Sequence, residues 1–153
     1  MKKDLKDIKA VFLKKISLFK ELLNCVSRER DDLINLDIKN IWAAMEEKQR
    51  IADSIEEADI QLKEMISAGG SIYKYIPADE RPAVMEFSKT LAGLREEIRV
   101  RMGENVTFIK DTLGFFHEVI SIFTTGDNSS EIFYSPVKST SRKAQNFIYH
   151  NEV

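Results

Sequence analysis

From Val84 to Phe123 an apolar residue returns every three or four positions without a gap: Val84, Phe87, Leu91, Leu94, Ile98, Met102, Val106, Ile109, Leu113, Phe116, Ile120 and Phe123. Steps of three and four belong to a helix with one side turned inwards; a half-buried strand would need steps of two. The pattern predicts a single helix over residues 79–124, about 45 residues and roughly 67 Å long. Its alternation is regular except for three successive steps of four from Leu94 to Val106. That stutter straightens or unwinds a supercoil locally, and both a straight helix and one bent near Met102–Asn105 fit it. Asn105 lies beside the stutter on the core side. A polar residue in a seam either fixes register at some cost in stability or meets a ligand or partner.

The preceding residues supply the surfaces this helix needs. Leu5, Phe12, Phe19, Val26 and Leu33 recur at intervals of seven, and Ile8, Ile16, Leu22 and Leu23 widen that row into a face. This predicts a helix over about 4–34. Lys15 and Glu29 flank the face, which marks it as the edge of a bundle. At Ile34–Asp37 the pattern stops. Asn35 tolerates a left-handed cap, and Asp37 is placed to cap the next helix. So short a connection makes an antiparallel hairpin. A second helix is predicted over 37–67, with a stripe of Ile38, Ile41, Met45, Ala52, Ile55, Leu62 and Ile66, flanked by Trp42, Ile51 and Met65. Gly69-Gly70 ends it. Residues 69–82 form the one long connection, held to the bundle by Ile72, Tyr73, Tyr75 and Ile76, and Pro82 falls in the first turn of the third helix.

The expected fold is therefore all-α: an antiparallel three-helix bundle or coiled coil over 1–124, with a long third helix and a flexible C-terminal tail over 125–153. Composition agrees, since 6 Gly, 3 Pro and 31% charged residues describe long solvated helices and no sheet. Charge is unevenly spread. Residues 2–30 hold nine Lys/Arg against four Asp/Glu, and residues 31–67 hold four against ten. A basic first helix beside an acidic second one pairs its charges across the seam, which leaves no uncancelled basic patch for nucleic acid. Cys25 is alone among Leu22, Leu23 and Val26, a setting for a buried, unreactive thiol. No apolar run reaches the length of a membrane span, and the chain reads as cytoplasmic.

Catalytic chemistry is not to be found. Neither His117 nor His150 follows a Glu by three residues, one cysteine and two histidines do not make a zinc site, and no glycine-rich phosphate loop is present. The chain is expected to be neither an enzyme nor a metal or cofactor protein. What stands out is surplus grease. Leu113, Phe115, Phe116, Val119, Ile120, Ile122 and Phe123 crowd the end of the third helix, more than one bundle stripe requires. The third helix is also longer than the hairpin helices, so this end should project beyond them. An apolar surface of this kind seeks a partner. The tail then carries two aromatic clusters, Ile132-Phe133-Tyr134 and Phe147-Ile148-Tyr149, which read either as recognition segments or as an arm folded back on the helix end.

The hairpin region resembles that of FlgN-type flagellar export chaperones. The resemblance lies in Glu29-Arg30, Leu33, Asp37, Ile41 and Glu47-Lys48 before Ile51, and in the order of elements: hairpin, long helix with Asn105 in its seam, tail containing a tyrosine. It implies a chaperone that binds the terminal helices of hook–filament junction proteins, keeps them soluble and delivers them to the flagellar export gate. It implies further that the client is held by Leu113, Phe116, Val119, Ile120 and Phe123, and that Tyr134, with Tyr149 as rival, docks the loaded chaperone on the gate. In isolation such a protein is expected to be a monomer or weak dimer. The competing expectation is a structural bundle protein whose apolar helix end pairs with its own copy.

Overall fold

A computed structural model describes residues 5–66, 71–74 and 76–125. These form α1 (Leu5–Ile34), α2 (Ile38–Ile66), a 3-10 turn at Ile72–Lys74 and α3 (Arg81–Thr124). The fold is all-α, as the periodicity requires, with no strand among the described residues. Helix ends fall within one or two residues of those read from the caps and glycines. The tail, with both of its aromatic clusters, lies outside the described residues, as do Gly69, Gly70 and Tyr75. The chain divides into two compact units, Met1–Val106 and Thr107–Val153, with α3 contributing to both.

In the first unit α1 and α2 run antiparallel. Contacts between them pair Cys25 with Ala44, Arg28 with Glu47, and Lys15 with Asp59. The direction is reversed at a Schellman closure, in which the Asp37 N–H donates to the Asp32 carbonyl at 2.9 Å and the Leu36 N–H to the Leu33 carbonyl at 3.2 Å. The left-handed residue is Leu36, with φ 52°, and not Asn35. Asn35 still donates to the Asp31 carbonyl and so completes the last turn of α1. Asp37 caps α2 as expected, its Oδ1 accepting the Asn40 N–H at 3.1 Å.

The buried face of α2 differs from the expected stripe. Ala44, Ile51 and Ala58 are buried at intervals of seven, while Ile38, Trp42 and Met45 are exposed. The cause is size. Ala44 and Ala58, two heptads apart with Ile51 between them, put small side chains at the buried positions of α2, and larger ones are turned out. Ile51, expected on the flank, is in the core with Cys25 and Ala44.

Within this unit α3 runs parallel to α1. Lys9 pairs with Glu80, the rings of Phe12 and Phe87 stack with centroids 6.1 Å apart, Arg95 lies over the Phe19 ring at 5.8 Å, and Arg30 donates to the Glu104 carbonyl. The main core joins Ile8, Phe12 and Phe19 of α1 to Val84, Leu91 and Ile98 of α3, with Ile55, Leu62 and Met65 of α2 packed against it. Ile76 is buried here, and Ile72 and Tyr73 pack beside it, so the long connection is held as anticipated.

Lys15 and Glu29 do not mark an edge; both are buried. They occupy one heptad row of α1 with Ile8 and Leu22, and each is satisfied across the bundle. Lys15 pairs with Asp59. Glu29 accepts from Lys48 Nζ at 2.5 Å and from Asn105 Nδ2 at 3.1 Å, and the same Asn105 nitrogen donates to the Val26 carbonyl at 3.1 Å. One carboxylate thereby ties α1, α2 and α3 together. Such a node tolerates only the alignment that brings its three members together, which is the register function open to Asn105.

Candidate functional site

The first unit satisfies itself. Among the described residues no buried side-chain nitrogen or oxygen lacks a hydrogen-bond partner. A shallow recess between α1 and α2 is lined by Cys25, Arg28, Asp31, Asn40, Ala43 and Glu47, with neither Trp42 nor an α3 phenylalanine in its wall. Its one nucleophile is quenched. Burial, reinforced by the Glu47 carboxylate, pushes the Cys25 thiol up to about 11, and its Sγ lies 3.5 Å from the Ala44 carbonyl. No group of three or more metal-ligating side chains occurs among the described residues. The basic residues of α1 are partly spent on α2, through Lys15–Asp59 and Arg28–Glu47.

The second unit is different in kind. From Thr107 to Thr124 it is one continuous helix, with no proline and only Gly114 as a weak helix former. Hydroxyls finish it. Ser121 donates to the Glu118 carbonyl at 2.7 Å and Thr124 to that of Ile120 at 2.9 Å, both shared with helical N–H groups, while Thr125 reaches the Ile122 carbonyl, which the helix itself leaves open, at 3.2 Å. What the helix presents is apolar. Leu113, Phe116, Ile120 and Phe123 are 47–81% exposed. They fall in steps of three and four, so they form one line along the helix. Val119 is half-buried and lies on a neighbouring line with Phe115 and Ile122, which are 62% and 72% exposed. The two lines touch where the Phe115 and Phe116 rings meet at 6.1 Å and 60°.

All five residues singled out for a partner site are thus on one helix segment and four of them on one line. Phe115 and Ile122 belong to the same surface and were left out of that set, although their place in the apolar run was visible. Tyr134 and Tyr149 lie outside the described residues. A second exposed apolar group, Ile34, Leu36, Ile38, Trp42 and Met45, occurs at the hairpin turn of the first unit. Sequence reading had placed Ile38 and Met45 in the core; the signal against it is the alanine row at 44 and 58.

A surface of bare phenylalanine, leucine and isoleucine offers no proton transfer, nucleophile or charge. What it offers is area, removed from water when an amphipathic helix covers it. No helix among the described residues is long and apolar enough to cross a membrane. Residues 1–142 match the family model described as FlgN protein. No curated protein and no solved structure matches the chain.

Proposed function

The chain belongs to the FlgN family of flagellar export chaperones, and on that premise we propose that it binds the terminal helices of hook–filament junction proteins in the cytoplasm and carries them to the export gate. The observation that carries this reading is the exposed apolar line Leu113, Phe116, Ile120 and Phe123, with Val119 beside it, on a helix that is otherwise complete. A client helix laid along it hides its own apolar face and that of the chaperone together. The client segment becomes ordered only on binding, which lowers affinity for the area buried and favours release at the gate. Tyr134 docks the loaded complex, through a short aromatic segment whose weak binding suits repeated delivery.

Phe116→Asp and Ile120→Asp test the reading. Each variant should lose a hook–filament junction protein in co-purification from flagellated cells, by at least about a hundredfold in affinity, because a carboxylate buried against an apolar helix has no partner. The far-UV signal should not change. Normal client binding by both variants would remove the site, and capture of nothing but a second copy by the wild-type chain would favour the self-pairing bundle.

A further inference from the structure

The apolar surface of the second unit is too wide for one helix. At 3.6 residues per turn, Ile109, Leu113, Phe116, Ile120 and Phe123 occupy an arc of about 80° on the helix circumference. Phe108, Phe115, Val119 and Ile122 occupy a separate arc of about 60° next to it. Together with Thr112 between them they take up about half the circumference, and every remaining residue from Lys110 to Thr124 on the other half is polar or glycine. A helix packed on one neighbour needs a stripe of about 100°. Two adjacent lines, each in helical steps and four turns long, are what a helix shows when it is one member of a group of three.

The borders of the two lines differ in charge. Lys110 runs beside the line of Leu113 and Ile120, whereas Asp111 and Glu118 run beside the line of Phe115 and Ile122. Helices that suit these borders are not the same. The first line favours a helix with Asp or Glu at its flanks and the second a helix with Lys or Arg, as flanking positions pair across coiled-coil seams.

Building on the proposed client site, we propose that the second unit takes two amphipathic helices of the client side by side, one on each line. One has acidic flanks and the other basic flanks, and each matches about 16 residues, roughly 24 Å, of α3. Client and chaperone then form a mixed three-helix group. Phe115 and Ile122 hold the second helix, and the tilted Phe115–Phe116 pair sits between the two.

The test uses the full chain and two probes made from a hook–filament junction protein: a peptide of its C-terminal helix, and a peptide joining its two terminal helices. Calorimetric titration should show the joined peptide binding at least about tenfold more tightly, since a second apolar line is buried. The double variant F115S/I122S should abolish that advantage, so that the joined peptide binds no more tightly than the single-helix peptide; these positions are exposed, and far-UV signal checks that the fold is kept. Equal affinity for both peptides, or an unaffected F115S/I122S, would overturn the two-helix arrangement while leaving the client site standing. If neither peptide binds the wild-type chain, the proposed function itself fails. A dimer of the chain alone, seen in sedimentation and lost in F115S/I122S, would put a second copy on that line and overturn the inference.

Discussion

The two ends of α3 share one repeat and use it in opposite ways. In the first unit Val84, Leu91 and Ile98 are buried against α1, and even the polar Asn105 is enclosed and bonded. In the second unit Leu113, Phe116, Ile120 and Phe123 continue the same steps in the open. Periodicity therefore says that a helix has an apolar side, and says nothing of whether the chain supplies the cover. That depends on what else is present, which the repeat of one helix does not show.

Truncating an aromatic in each unit gives the largest test of this contrast. Phe12 is buried and stacked on Phe87, so Phe12→Ala should cost about 3–5 kcal/mol of folding stability. Phe123→Ala, at 81% exposure, should change stability by less than about 0.5 kcal/mol. Urea denaturation of both variants decides it. Equal losses would mean that the second unit is covered within the chain, and the binding surface would lose its basis.

A smaller effect is expected at the polar node. Glu29→Ala strips Lys48 and Asn105 of their shared carboxylate and should cost about 3 kcal/mol, because the two donors are left inside the bundle. Glu29→Gln keeps an acceptor for Asn105 and should recover part of the loss. The counterpart on the second unit, Glu118→Ala, should be silent in the same denaturation experiment. A large effect there would again point to hidden internal packing.

These contrasts also explain what could be read beforehand. The repeat of α3 and the break at Asn35–Asp37 were legible because each depends on residues close in sequence. The seam of α2 was not. Counting apolar residues selects Ile38 and Met45, whereas close packing selects Ala44 and Ala58. Lys15 and Glu29 read as an edge because their partners, Asp59, Lys48 and Asn105, lie on other helices that a single segment does not show. In the second unit the surplus is plain in the sequence, but the spacing of a single seam selects Leu113, Phe116, Ile120 and Phe123 and passes over Phe115 and Ile122.

Titration sets the first unit apart in a further way, since Cys25 belongs to it. The folded thiol releases its proton near pH 11, against an ordinary value of 9.0. Below pH 9 both states are protonated and the contribution is fully present. As pH rises from about 9 towards 11 the unfolded thiol ionises first, and stability should fall by on the order of 2 kcal/mol. Cys25→Ala should flatten that part of the pH profile relative to wild type. An identical slope in both proteins would show that the thiol is not enclosed as described.

Gly114 gives the smallest and most local test. It lies in the second unit on the polar half of the helix, and a methyl group added there meets nothing within 4 Å. Gly114→Ala should therefore favour the helix by about 0.5–1 kcal/mol without touching either apolar line. If the client needs this helix already formed, the gain appears in binding as an increase of about two- to fivefold in affinity, with no new contact made. If stability of the first unit rises instead and binding stays the same, the helix end is already fully formed before the client arrives. A loss of binding would place the client on the polar half and reverse the assignment of the surface.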